Sequence, residues 1–123
     1  LMKGYTKACF IDADMVVIKN IDDIFTYPTP AAHRDYWTPK DKEGCNTGFF
    51  LFEPSEKVYN HLEKVVNEHF VRELNLSKCC DQPVLNYAFV TRNDSLKWNL
   101  LPWGYVVDGR NVNYLYKEKW LAD

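Results

Sequence analysis

The run Phe10-Ile-Asp-Ala-Asp-Met-Val-Val-Ile18 sets two carboxylates, Asp12 and Asp14, one residue apart at the end of an apolar stretch. A carboxylate leaving a buried strand without compensation is costly. The usual compensation is a divalent cation, often one that also holds phosphates. Residues i and i+2 of an extended or tightly turned segment can point the same way, so the two aspartates can share one hard cation, directly or through water. The competing reading is a pair of turn aspartates capping the helix that follows. Turn aspartates seldom sit directly between two apolar or β-branched runs, which favours the cation site.

The chain has 123 residues, 46% hydrophobic and 15% aromatic, enough for one small domain or part of a larger one with a real core. The net charge is −2 with acids and bases interspersed, so no basic field exists for a nucleic-acid backbone. No apolar run approaches the roughly 20 residues of a membrane span. The opening Leu1-Met-Lys-Gly-Tyr-Thr6 enters a strand abruptly and has no signal-peptide character, so the chain reads as the middle of a longer domain. Cys9, Cys45, Cys79 and Cys80 form no Cys-x-x-Cys pair, which argues against a zinc site and for reduced, partly buried thiols. The compartment stays open, with cytoplasm slightly favoured over a Golgi lumen.

Residues Lys7 to Ile11 read as a buried strand and Met15 to Ile18 as a second short one. Asn20 is a good cap for a short helix over Ile21 to Phe25. Ala31 to Cys45 is polar, aromatic and aperiodic, a loop long enough to have a job. Gly48 to Glu53 predicts a strand stopped by Pro54. Ser55 then caps the clearest helix, in which Val58, Leu62, Val65 or Val66, and Phe70 recur at three- and four-residue steps, ending near Leu74. Asp81 opens another helix that continues over Val84 to Phe89, with Pro83 tolerated in its first turn. Leu96 to Val107 reads as extended, and Val112 to Tyr116 as a last strand. This alternation favours an α/β sheet with ligands at the carboxyl ends of its strands.

Two further clusters could carry chemistry. In Cys45-Asn-Thr-Gly48, the glycine permits close backbone approach, and Asn46 offers a donor and an acceptor to a hydroxyl-rich ligand. The plain alternative is a turn in which Asn46 bonds its own backbone. In Asp81-Gln-Pro-Val-Leu-Asn86, Asp81 and Gln82 sit at a helix N-terminus, where they can present polar atoms to a ligand. The plain alternative is that Asp81 is an N-cap; a residue can cap and bind.

Taken in order, the three blocks resemble glycosyltransferase family 8, the family of glycogenin and galactinol synthase. Phe10 to Phe25 looks like its metal-binding strand, and Asn46-Thr-Gly-Phe-Phe-Leu-Phe-Glu-Pro-Ser55 like its Asn-Ser-Gly segment with the strand that follows. Asp81-Gln-Pro-Val-Leu-Asn86 is similar to its Asp-Gln-Gly-x-Leu-Asn segment. The resemblance implies a GT-A type nucleotide-diphospho-sugar transferase fold, a Rossmann-like mixed sheet flanked by helices, present here in part. It implies manganese-dependent, retaining transfer from a UDP-sugar to a glycan, protein or polyol, and leaves a homodimer open. On this mapping Asp12 and Asp14 hold Mn2+, and Asp12, Ala13, Asn46, Thr47, Gly48, Asp81 and Gln82 line the donor. Asp81 and Gln82 are the catalytic candidates, with Gln82 near the anomeric carbon.

The departures are equally specific. Pro83 stands where the family has glycine. The family's upstream nucleotide-binding strands are not found before residue 1, nor its downstream His-x-x-Gly-x-x-Lys-Pro-Trp segment, which supplies a third metal ligand. His61 and His69 fall within the long helix, whereas His33 lies in the loop near the cleft, a candidate substitute ligand. Two rival readings are weighed against this one. A haloacid dehalogenase-type phosphatase also begins with strand-Asp-x-Asp, but leaves the Asn46 and Asp81 blocks unexplained. A non-catalytic carbohydrate- or partner-binding domain would use Tyr36, Trp37, Trp98, Trp103 and Tyr105 as stacking platforms.

Overall fold

The computed structural model describes residues 4–35, 44–67, 80–91, 96–102 and 104–106. Four strands form one mixed sheet in the order β1-β3-β2-β4: β1 is Ala8–Ile11, β2 Ala31–Arg34, β3 Cys45–Phe52 and β4 Asn99–Leu100. Strand β3 pairs antiparallel with both β1 and β2, and β4 runs parallel to β2. A 3-10 turn covers Asp22–Thr26, α1 covers Glu56–Val65 and α2 covers Asp81–Asn86, continuing as a wider π turn over Tyr87–Thr91. No helix among the described residues is long and apolar enough to cross a membrane.

Strand β3 carries Phe49, Phe50, Leu51 and Phe52 in succession and serves both faces of the sheet. On one face Phe49 and Leu51 pack with Ile24, Ala31 and Leu101. On the other, Phe50 lies edge-on to Trp98 at 5.9 Å, and Trp98 meets Phe89 at 4.8 Å. That second face carries the helices, where Val58 and Val65 of α1 join Ala88 and Phe89. Each such aliphatic or aromatic side chain removed from water contributes on the order of 1.5–3 kcal/mol. Ser55 caps α1 as its sequence predicts, accepting from the Val58 N–H at 3.4 Å. Val65, not Val66, is the core residue of that turn: it is fully buried, whereas Val66 is 42% exposed. Phe70 and the expected end near Leu74 lie outside the described residues.

Several expectations are corrected. Met15 to Ile18 form no strand. The Met15 N–H bonds back to the Asp12 carbonyl at 3.1 Å, which turns the chain away from β3. Without a ladder partner, β-branched residues do not make a strand by themselves, and Val16, Val17 and Ile18 are exposed. The presumed loop from Ala31 begins as β2. The Asn46-Thr47-Gly48 block lies within β3, not in a turn before it. The extended stretch from Leu96 contributes β4, tied to β2 by Asn99 N–H to Pro30 O at 2.8 Å and Leu101 N–H to Ala32 O at 3.0 Å. The short helix begins at Asp22 with Ile21, not Asn20, in the cap position and no side-chain cap bond. Asn20 stands one residue earlier, its Oδ1 accepting from the Asp22 N–H at 2.7 Å. Val112 to Tyr116 falls outside the described residues.

Candidate active site

The antiparallel register between β1 and β3 creates the site. Ile11 lies opposite Phe49, so the next pair is Asp12 and Gly48, joined by Asp12 N–H to Gly48 O at 2.8 Å. The carboxyl end of β1 therefore arrives beside the amino-terminal half of β3, and two blocks far apart in sequence become neighbours. The carboxylate of Asp12 occupies space that a side chain at residue 48 would claim. A Cβ built on Gly48 would stand 2.7 Å from Asp12 Oδ2, and 3.1 Å from both Asn46 Oδ1 and Met15 Cε. A side chain at residue 48 would displace the Asp12 carboxylate, so the glycine makes the close approach possible.

A register break brings in the third block. Ala32 lies opposite Phe50 and His33 opposite Asn46, so Thr47, Gly48 and Phe49 face no residue of β2. Bulges of this kind re-aim side chains and release backbone groups from the ladder. Side chains take up two of them: Gln82 Oε1 accepts from the Thr47 N–H at 3.2 Å, and Asn46 Oδ1 from the Gly48 N–H at 2.9 Å. The Thr47 hydroxyl, on a buried residue, donates to Asp81 Oδ2 at 3.2 Å. One helical turn beyond Gln82, the Asn86 amide pairs with the Cys45 backbone, accepting from its N–H and donating to its carbonyl, both at 2.8 Å. Trp98 Nε1 donates to the same Asn86 oxygen at 3.1 Å. Helix α2 is thus docked on β3 through amide side chains that mimic a neighbouring strand.

Asp81 is the first residue of α2, not its cap: Cys80 holds that position, and no side-chain cap bond forms. Its carboxylate in the first turn still favours the positive end of the helix, while its Oδ2 is committed to Thr47. Pro83 follows within the first turn, where a missing N–H leaves no helical bond unmade. Asn46 makes the backbone bond its plain reading anticipated, and its amide N–H groups have no partner among the described residues. Ala13 lies exposed in the turn between Asp12 and Met15.

Asp12 and Asp14 are both exposed, and neither carboxylate has a hydrogen bond or ion pair among the described residues. Among those residues no group of three or more His, Cys, Asp or Glu side chains converges as a metal cage. His33 is not a third ligand. It is 2% exposed in β2 with Nδ1 at 2.9 Å from the Arg34 carbonyl, and burial pulls its pKa below the ordinary value. Asp12, in the room that Gly48 leaves for its carboxylate, and Asp14 two residues on suit a hard cation held by one or two carboxylates, its other positions left for water and phosphate oxygens.

Two residues of the site were not legible as such. Asp35, passed over in an aperiodic loop, accepts from Gln82 Nε2 at 3.1 Å. Asn86 stood inside the Asp-Gln block without a role. A carboxylate in a loop near a presumed cleft, and an amide one helical turn from Gln82, were the available signals. The aromatics proposed as sugar platforms are committed elsewhere where described. Trp98 is packed between Phe50 and Phe89, and Tyr105 stacks on Phe49 at 6.4 Å and donates to Asp23 Oδ2 at 2.6 Å. Partial burial, with the Asp23 carboxylate beside it, raises the Tyr105 hydroxyl's pKa. Tyr36, Trp37 and Trp103 lie outside the described residues.

The family described as nucleotide-diphospho-sugar transferase matches residues 1–122. Glycogenin-1 of Caenorhabditis elegans is 32% identical over 101 residues, 82% of this chain and 22% of that protein. Glycogenin-1 of Homo sapiens is 35% identical over 85 residues, 69% of this chain and 22% of its own length. UDP-glucuronate:xylan alpha-glucuronosyltransferase 1 of Arabidopsis thaliana is 29% identical over 122 residues, 99% of this chain and 15% of that protein. The chain thus spans 22% or less of the length of these relatives. With its mixed sheet, its flanking helices and a family match over nearly its whole length, the chain belongs to the nucleotide-diphospho-sugar transferases, with a GT-A-like α/β fold of the glycosyltransferase family 8 kind.

Proposed function

We propose that this chain carries the donor site of a glycosyltransferase that moves a sugar from a UDP-sugar to a glycan, protein or polyol acceptor, with retention and with manganese as its metal. The observation that carries the reading is the meeting of Asp12, the Thr47–Gly48 bulge and the Asp81–Gln82 helix start within one hydrogen-bonded frame. A donor with a UDP group accords with the Arabidopsis relative, a UDP-glucuronate:xylan alpha-glucuronosyltransferase.

Each part of the frame has a task in such a reaction. Asp12 and Asp14 would hold Mn2+, which when bound neutralises charge on the leaving diphosphate as a Lewis acid. Asn46, with the amide N–H groups that have no partner among the described residues, and Asp81, with its second oxygen, orient sugar hydroxyls. The sugar takes on oxocarbenium character as its bond to the diphosphate weakens, as in glycoside cleavage. Gln82 is neutral, so it can face that developing charge without trapping it as a covalent adduct. On this reading an oxygen of the departing diphosphate takes the acceptor's proton.

The test is UDP release by the full-length protein from UDP-glucose and UDP-glucuronate, with Mn2+ and after EDTA, beside hydrolysis of 4-nitrophenyl phosphate. The reading expects Mn2+-dependent UDP release that falls about 100-fold in Gln82→Ala, the scale of a misplaced reacting group. Undiminished turnover in that variant would remove Gln82 from the mechanism. Phosphate release from the aryl ester, without UDP-sugar turnover, would return the site to phosphatase chemistry.

A further inference from the structure

We infer that Asp35 is a positioning residue that fixes which end of the Gln82 amide faces the donor sugar, an inference that rests on the assignment of Gln82 to the donor site. Gln82 is held between two partners of opposite character: its Oε1 accepts from the Thr47 N–H at 3.2 Å and its Nε2 donates to Asp35 Oδ2 at 3.1 Å. The two ends of a primary amide are nearly the same size, so a half-turn exchanges donor and acceptor at little steric cost. Neither partner tolerates the exchange. A backbone N–H only donates, and an ionised carboxylate only accepts. The orientation of Gln82 is therefore dictated chemically, and the Asp35 bond is the charge-assisted, stronger half of that constraint.

Both partners are themselves anchored to the sheet. Asp35 directly follows β2, and its N–H bonds the Gly44 carbonyl just before β3 at 3.0 Å. Thr47 lies in the bulge of β3. Gln82 comes from a different element, 47 residues from Asp35 in sequence, so the contact is a product of the fold and not of local helix geometry. With one N–H given to Asp35 and one lone pair to Thr47, Gln82 retains one N–H and one lone pair for a ligand. A flip exchanges these two, presenting a donor where the reaction expects an acceptor. The loss of Asp35 should therefore appear in turnover and not in nucleotide affinity.

The experiment is a double-mutant cycle in the full-length protein with Asp35→Asn and Gln82→Ala, reading Mn2+-dependent UDP release from UDP-glucose and UDP-glucuronate, with UDP affinity measured by calorimetry. Asparagine keeps the shape of aspartate but accepts either amide orientation. Asp35→Asn should lower kcat roughly ten- to a hundredfold, as loss of a hydrogen-bond partner of a site residue typically does, with UDP affinity and melting temperature unchanged. In the Gln82→Ala background the same substitution should cost nothing further. A second variant, Gln82→Glu, should recover activity as pH falls from about 8 to about 5.5, because the introduced carboxyl must be protonated to donate to Asp35. Wild-type kcat in Asp35→Asn, or independent multiplication of the two losses, would overturn the inference while leaving Gln82 in the site. An unimpaired Gln82→Ala would remove the donor-site role of Gln82, and the inference with it.

Discussion

The room for the Asp12 carboxylate is made by an atom that Gly48 lacks. Gly48→Ala puts a methyl group 2.7 Å from Asp12 Oδ2, the mobile end of an exposed side chain, so the carboxylate yields before the backbone does. The expected outcome is a stability loss of no more than about 1 kcal/mol in urea unfolding, with Mn2+ binding roughly tenfold weaker by titration. His33 gives a second prediction at this scale. Its folded-state pKa is lowered from 6.5 by burial, against the backbone bond to Arg34 that raises it. The unfolded chain therefore binds this proton first as pH falls, so the contribution of neutral His33 is complete above pH 6.5 and lost progressively below it. Melting temperature should drop on acidification below that point, with a smaller slope in His33→Gln. Cys9 should react slowly with thiol reagents at neutral pH, since burial pushes its thiol to about 11.

Helix α2 shows how much of an element's role depends on what it docks against. The Asp-Gln-Pro-Val-Leu-Asn run was legible as a helix start, because proline in the first turn and a polar residue before it are local signals. That Asn86 would lay its amide on the Cys45 backbone was not, because the contact joins residues 41 apart. Asn86→Leu removes the amide bonded to the Cys45 N–H, the Cys45 carbonyl and the Trp98 N–H, at about 1–3 kcal/mol for each buried hydrogen bond that is not replaced. The urea midpoint should fall accordingly, and UDP-sugar turnover should fall with it as Asp81 and Gln82 lose their seat. The Val-Val-Ile run after Asp14 shows the converse failure. Its composition says strand, but a strand is made by its neighbours, and the turn from Asp12 to Met15 leaves it none among the described residues.

At the scale of the whole molecule, the resemblance implied that the three motifs line one donor, but the strand pairing that brings them together was not readable. The alternation of elements suggested an α/β sheet with ligands gathered at the carboxyl ends of its strands. The sheet instead sets β1 against β3 antiparallel, so the end of one strand and the start of another share the site. The register that pairs Asp12 with Gly48 and the bulge that frees Thr47 are long-range facts, fixed by the phenylalanine-rich packing of β3 on both faces. On the proposed function, Asp12 and Asp14 bind a metal together with a diphosphate. Electron paramagnetic resonance of Mn2+ titrated into the full-length protein with and without UDP tests it most directly. The free Mn2+ signal should be lost when protein and UDP are both present, and persist in Asp12→Asn and Asp14→Asn at the same concentrations. Undiminished UDP-dependent loss of the signal in those variants would contradict the account.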